Sequence, residues 1–199
     1  MFLAVATCFG HTAESAGAPP STVDPTIAAL LQKDGIRIKD GSKVVMELWF
    51  RTAVPPGPPN NAPNVTWQEV PHGALLGVVN FPAKGSDRRG QGIKPGVYTM
   101  RFSYYPENGD HQGAAPQRDF LLLSPAANDK DPNALPTFEA LVDMSRKASG
   151  TPHPLVLSMY KQDVSAFKAG VSQEGEDQVL QTKIGNTPVA VIVAGTAGH

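Results

Sequence analysis

Histidine is the residue type in this sequence that serves the most kinds of chemistry, and it occurs at five positions. None of the five lies in the His-x-His or His-x3-His spacing that brings two imidazoles onto one metal ion. His111 directly follows Asp110 in a polar turn, and a carboxylate beside an imidazole orients the ring for metal ligation or proton transfer. Asp110 and His111 are therefore the first candidates for a metal or acid–base site. The alternative is a histidine that only fixes its loop.

Oxygen ligands for a hard cation occur at alternate positions in residues 128–133, where Asp129 and Asp131 are the acidic members. The segment lacks the central glycine of an EF-hand, having Ala134, and Ala140 stands where a bidentate glutamate belongs. An EF-hand is thus excluded. A looser Ca²⁺ site at Asp129 and Asp131 stays open beside a purely polar connection into the next helix, and no other cofactor is predicted.

The sequence motifs of nucleotide binding and of nucleophilic catalysis do not occur. The chain contains no Gly-x-Ser-x-Gly motif, no Walker motif and no Rossmann glycine pattern. Cys8 is the single cysteine, which excludes an intrachain disulfide, a thiolate metal cluster, a blue-copper site and covalent c-type haem. We therefore assign no catalytic residue from the sequence.

Aromatic side chains on an open sheet face can stack on sugar rings, and Trp49, Trp67 and Tyr105 are the candidates for such ligand binding. Aromatic residues make up only 7% of the chain, and most aromatic residues in strands fill protein cores. The two hypotheses make different demands, because ligand stacking needs an exposed ring and core packing needs a buried one.

The elements that must position these residues are mostly strands. Glycine and proline occur 19 times each, which favours short strands joined by ordered loops. Asp40-Gly41 predicts a tight turn between strands 36–39 and 43–51, with Val44, Met46, Leu48 and Phe50 on the core side. Strand 97–105 alternates as a half-buried strand does, with Arg101 and its neighbours at positions 99 and 103 on the solvent side.

Two helices interrupt the strands. Asp24-Pro25 predicts a helix start, and Thr137 begins a second helix that ends near residue 148 before Gly150. Strands do not alternate regularly with helices, so a doubly wound parallel sheet is not predicted. We expect a mostly β fold, an antiparallel β-sandwich of immunoglobulin-like or jelly-roll style, with about eight strands and two short peripheral helices. This single domain spans residues 25–199.

Residues 93–101 carry one limited likeness to known domains. Pro95-Gly96-Val97-Tyr98 resembles the Pro-Gly-x-Tyr hairpin of extracellular β-sandwich modules, such as transthyretin-like and collagen-adhesin B-type domains. In those families the aromatic residue after the turn packs into the sandwich, so the resemblance implies that Tyr98 is a core residue. It implies no catalytic residue and no ligand.

Residues 1–24 are predicted to be a signal-like or flexible leader. The first ten residues are apolar, and Ala16-Gly17-Ala18 has small residues at a cleavage-like spacing. Cys8 lies in a loose lipoprotein-like box, which makes it a candidate lipid anchor. We expect a secreted or periplasmic protein, the alternative being a cytosolic one with a frayed N-terminus. No stretch reaches the roughly 18 apolar residues of a membrane-spanning helix.

Charge argues against nucleic-acid binding. The formal net charge is −1, and the nearest approach to a basic run is Asp87-Arg88-Arg89. Our first hypothesis is an exported, non-catalytic binding or accessory module that recognises a surface, a glycan or a partner protein. The alternative is a secreted hydrolytic or metal-assisted enzyme that uses loop carboxylates and His111.

Overall fold

The computed structural model describes residues 10–107 and 117–196. Helix α1 spans Pro25–Ala28 and helix α2 spans Phe138–Ser149. The described residues also form twelve strands: β1 Thr12–Gly17, β2 Gly35–Asp40, β3 Lys43–Phe50, β4 Leu75–Phe81, β5 Gly85–Ser86, β6 Gly92–Ile93, β7 Gly96–Tyr104, β8 Asp119–Pro125, β9 Leu155–Lys161, β10 Gly170–Glu174, β11 Asp177–Ile184 and β12 Thr187–Ala194.

Ten of these strands form one antiparallel sheet in the order β1-β2-β3-β4-β7-β8-β9-β12-β11-β10, and β5 and β6 form a separate ribbon. The sheet curls until its two edge strands, β1 and β10, come near each other, so that it is nearly a barrel. The prediction of a mostly β fold with two short helices is confirmed. The prediction of a sandwich of about eight strands is wrong, because a continuous ladder replaces the two separate sheets that a sandwich requires.

The barrel interior contains one large hydrophobic core. On β3, β7, β8, β9 and β12 alternate residues point into it, as the period of two requires, and on β3 these are Met46, Leu48 and Phe50. The hairpin prediction is therefore confirmed, with Gly41 at a φ of 57° in the turn. Val44 was wrongly predicted as a core residue, because a register shift between Ile38 and Lys39 places Val45 against the core instead. Tyr98 is also a core residue, packed edge-on against Phe81, as the hairpin resemblance implies.

The outer face of the sheet is covered along β4, β7, β8 and β9. Residues 23–31 pack on Trp49 and Val78, and α2 packs on Phe120 and Leu122. Between these two covers, residues 129–134 lie over Arg101, which is fully buried. The prediction that Arg101 lies on the solvent side of β7 is therefore wrong, because residues 129–134 fold back over it.

Residues 52–74 close the barrel end at which β3 and β7 finish. Trp67 enters the core and packs edge-on against Phe102. The buried Asp119 carboxylate accepts hydrogen bonds from the backbone N–H groups of Thr66 and Trp67 and from the Thr66 hydroxyl. Burial raises the pKa of Asp119 in spite of these donors. The proline-rich loop is thus an anchored lid on this end of the barrel.

Strand β1 lies within residues 11–24, for which a leader was predicted. It pairs with β2 from Thr12 to Gly17, and the Asp34 carboxylate accepts hydrogen bonds from Ser15 Oγ at 2.6 Å and from Gly17 N at 2.7 Å. Gly17 O also accepts from the buried Trp49 indole at 2.7 Å. Residues 12–17 are therefore integrated into the fold. Cys8 lies outside the described residues, and export stays a prediction.

Gly35 is the position where β2 passes directly over the Trp49 indole. A Cβ atom at residue 35 would lie 2.4 Å from Trp49 Nε1. We expect Gly35→Ala to lower the free energy of unfolding by about 1–3 kcal/mol, because the indole is 1% exposed and has no room to shift. Chemical denaturation measures this change. Gly10→Ala, whose Cβ would meet only Gln178 Oε1 at 3.8 Å, is the control, and an equal loss there would contradict the explanation.

Candidate functional site

A cavity of about 430 Å³ lies at the barrel end opposite the lid formed by residues 52–74. The β2–β3 turn, the ends of β4 and β12, and strand β5 with the loop after it surround the cavity. Its apolar wall consists of core side chains that also line the barrel interior: Met46, Phe81, Leu157 and Val193. Its polar rim carries His11, Asp40, Lys43, Lys84, Asp87 and Arg88. Such an apolar pocket with a few polar groups at a barrel mouth is a common form of small-ligand site.

The cavity exists because two neighbouring strands separate at this end. Strand β12 pairs with β9 from Val189 to Val191, opposite Lys161 to Met159. Beyond Val191 the described ladder of β12 continues only to β11, while residues 155–158 of β9 pair with β8. The barrel wall therefore opens between β9 and β12, and the cavity lies in this gap.

A rigid loop after β5 borders the gap. The Asp87 side chain is completely buried, and its carboxylate accepts hydrogen bonds from the backbone N–H groups of Arg89 and Gln91 at 3.0 Å. Arg89 Nη2 bridges Asp87 to the carbonyl of Pro154, with a distance of 2.9 Å to each partner. Asp87 and Arg89 thus fix the loop to the start of β9, and the residue between them has a fixed position.

Arg88 is that residue, and it lines the cavity. Its Nε donates to both carboxylate oxygens of Asp177, at 3.0 and 3.3 Å, and its side chain is 17% exposed. Within residues 10–107 and 117–196, its terminal nitrogens Nη1 and Nη2 have no hydrogen-bond partner. A guanidinium held through Nε presents the rest of its planar fork, the geometry that carboxylates and phosphates bind.

Two lysines add positive charge at the same rim. Lys43 follows the β2–β3 turn and Lys84 precedes β5, and both are exposed. In the described part of the chain neither forms an ion pair, whereas Asp87 and Asp177 are each paired with an arginine. Asp40 is the one rim carboxylate without such a partner among the described residues. The unpaired charge at the cavity mouth is therefore predominantly positive.

The aromatic residues predicted to bind a ligand lie in or against the hydrophobic clusters. Trp49 and Trp67 are each 1% exposed, so neither indole face is open for stacking on a sugar. Tyr105 is half-buried and stacks on Phe120 with an interplanar angle of 10°. Glycan stacking on these rings is therefore not supported, because the structure gives all three rings protein partners.

The acidic residues predicted as cation ligands are likewise engaged. Asp129 is paired with Arg101, and Asp131 Oδ1 accepts from the backbone N–H of Asn133 at 2.9 Å. Asp110 and His111 lie outside the described residues. Within the described part, no cluster of three or more histidine, cysteine or acidic side chains is arranged to hold a metal ion.

His72 is a partly buried histidine among the described residues, with Tyr104 and Phe138 beside its ring. Its Nε2 lies 3.0 Å from Ser103 Oγ. Ser103 is fully buried, which prevents a substrate from reaching its hydroxyl.

The titration of His72 is expected to affect stability. Burial lowers the pKa of His72 below its ordinary 6.5, although nearby Glu139 opposes the shift. The unfolded chain then binds more protons than the folded one below pH 6.5, so stability should fall as pH decreases through that region. Denaturation midpoints at stepped pH measure the slope. His72→Gln should flatten it, and an unchanged slope in this variant would contradict the assignment.

The rim residues of the cavity were not predicted as a site. Asp87-Arg88-Arg89 stood out only as the densest charge cluster, and the sequence holds no signal that brings it near Lys43 or Asp177. The separation of β9 from β12 depends on pairing between residues more than 25 positions apart. Only the folded chain brings these elements together.

No protein-family model, curated protein or solved structure matches this chain. Among the described residues, no helix is long and apolar enough to cross a membrane. The function must therefore be inferred from the cavity itself.

Proposed function

We propose that this protein is a non-catalytic binding protein for a small amphipathic anion, which it takes into the cavity between β9 and β12. The observation that carries the proposal is the position of Arg88. Its terminal nitrogens have no described partner, and it stands above an apolar wall that includes Phe81 and Val193. A ligand with an apolar body and a carboxylate or phosphate head complements both parts of the site.

The charge distribution supports an anionic head. Lys43 and Lys84 flank the mouth, and neither is neutralised by an ion pair within the described residues. An anion would be attracted to this rim, and its contact with the partly buried guanidinium would be shielded from solvent. The apolar body would gain roughly 25 cal/mol for each square ångström removed from water.

Isothermal titration calorimetry with four ligands of equal chain length tests the proposal. Decanoate and decyl phosphate have anionic heads, decanol is neutral and decyltrimethylammonium is cationic. We expect measurable binding of one or both anions, weaker binding of decanol and the weakest binding of the cation, all below micellar concentrations. Equal affinity for all four would disprove recognition of the head, and no binding of any would disprove the function.

A further inference from the structure

We propose that a second, separate site binds a neutral planar heteroaromatic ring that carries a carbonyl oxygen and an N–H group. Nicotinamide and the oxopurines belong to this chemical class. The site is a cavity of about 580 Å³ beside the start of α2, outside the barrel. Its lining residues come from β7, α2 and the loops before β4, after β7 and before β8: His72, Tyr104, Pro106, Arg118, Phe138 and Glu139, with Glu107 beside them.

Three aromatic side chains wall this cavity. The rings of His72 and Tyr104 are 5.2 Å apart in an edge-on arrangement, and Phe138 lies 6.4 Å from His72. The Nε2 atom of His72 is hydrogen-bonded to Ser103 Oγ at 3.0 Å, which holds the orientation of the ring. Fixed aromatic walls favour a flat ligand, because ring faces and edges pack well against one another without ordering the protein further.

Arg118 supplies a hydrogen-bond donor at the cavity. Its side chain is 9% exposed, and its Nε and Nη1 donate to the carbonyls of Tyr105 and Pro63 at 2.6 and 2.7 Å. Its Nη2 has no hydrogen-bond partner in the described part of the chain. Its Cζ lies 5.1 Å from the centre of the Tyr104 ring, which fixes the guanidinium plane. A ligand carbonyl in the cavity could accept from this nitrogen and so complete the hydrogen bonding of the guanidinium.

The acidic side chains at the rim determine the charge of the ligand. Glu107 approaches Arg118 Nη1 at 3.5 Å, and Glu139 lies in the first turn of α2. Hydrogen bonding to its own backbone and to Thr137 lowers the pKa of Glu139, which therefore carries a negative charge at neutral pH. Two carboxylates against one arginine disfavour an anion. They can instead accept hydrogen bonds from ligand N–H groups, which completes the match to a neutral heteroaromatic amide.

Proton NMR of the His72 ring during titration with nicotinamide tests this inference. We expect the His72 signals to shift to saturation with nicotinamide, and to shift less with benzoate or toluene, which lack the amide. Phe138→Leu, which removes one aromatic wall, should weaken binding by about fivefold or more, because stacking on an aromatic ring is worth roughly 1–3 kcal/mol.

A matched variant and a second titration complete the experiment. Asp143→Asn alters an exposed carboxylate of the same helix, and it should leave nicotinamide affinity unchanged. Arg118→Lys should weaken nicotinamide binding. Circular dichroism checks that this variant folds. If Arg118→Lys does not fold, Phe138→Leu tests the site independently. Decanoate binding should be unaffected by any of these substitutions. Absence of nicotinamide binding, or tighter binding of benzoate, would overturn the inference.

Discussion

Replacing Arg101 with methionine is expected to lower the free energy of unfolding by about 3–5 kcal/mol, because it leaves the buried Asp129 carboxylate without its counter-charge. Every N–H of the guanidinium has an acceptor. Nε and Nη2 donate to the two oxygens of Asp129 at 2.7 Å, Nη1 donates to the carbonyls of Gly73 and Ala134 at 2.8 Å, and Nη2 donates to Asp131 O at 2.6 Å. Urea denaturation measures the loss.

Two further variants separate the buried network from a general effect of removing an arginine. Arg37→Met removes an arginine that is one-third exposed and paired with Glu47, and it should cost far less stability than Arg101→Met. Arg101→Met combined with Asp129→Leu removes both charges and should recover part of the stability lost in the single variant. A double variant less stable than Arg101→Met would show that the unpaired carboxylate is not the cause.

Replacing Arg88 with glutamine is expected to weaken decanoate binding by about tenfold to a hundredfold. A hydrogen bond to a charged group contributes roughly 1.5–3 kcal/mol, and 1.4 kcal/mol is a factor of ten in affinity. Arg88 supplies the partly buried donor at the cavity, whereas Lys43 and Lys84 are exposed, so each lysine should contribute less. Calorimetric titration of the three single glutamine variants compares them.

Asp177→Asn is the matched control for the Arg88 substitution. Both variants break the same ion pair between the loop and β11, so both should lose similar stability. Only Arg88→Gln removes the donor that faces the ligand, and Asp177→Asn should therefore keep or improve decanoate affinity. Equal weakening in the two variants would indicate that Arg88 acts through the position of the loop and does not contact the ligand.

The local elements could be predicted from the sequence where short-range rules apply. Asp40-Gly41 predicted its hairpin, and Thr137 and Gly150 predicted both ends of α2, because turns and caps depend on neighbouring residues. Strands β1 and β10 were not predicted, because their own residues carry no short-range strand pattern. Thr12–Gly17 consists of small and polar residues, and Gly170–Glu174 has mostly exposed ones, so neither shows alternation.

The closure of the sheet and the candidate site could not be predicted, because both depend on long-range contacts. An alternating strand fits a sandwich or a barrel equally well, since its period reports only which face is buried. Arg101 looked solvent-facing because its acceptors lie 28–33 residues away in the chain. Arg88 likewise gains its position from Asp177, 89 residues away.

Methyl NMR of labelled methionine residues during titration with decanoate tests the central claim most directly. Met46 lines the cavity, Met100 and Met159 lie in the barrel core, and Met144 lies on α2 outside the barrel. The proposed site predicts a saturable shift of the Met46 methyl signal, with Met144 unchanged. A shift of Met144 without Met46, or no shift of Met46 while calorimetry records binding, would contradict a ligand site in this cavity.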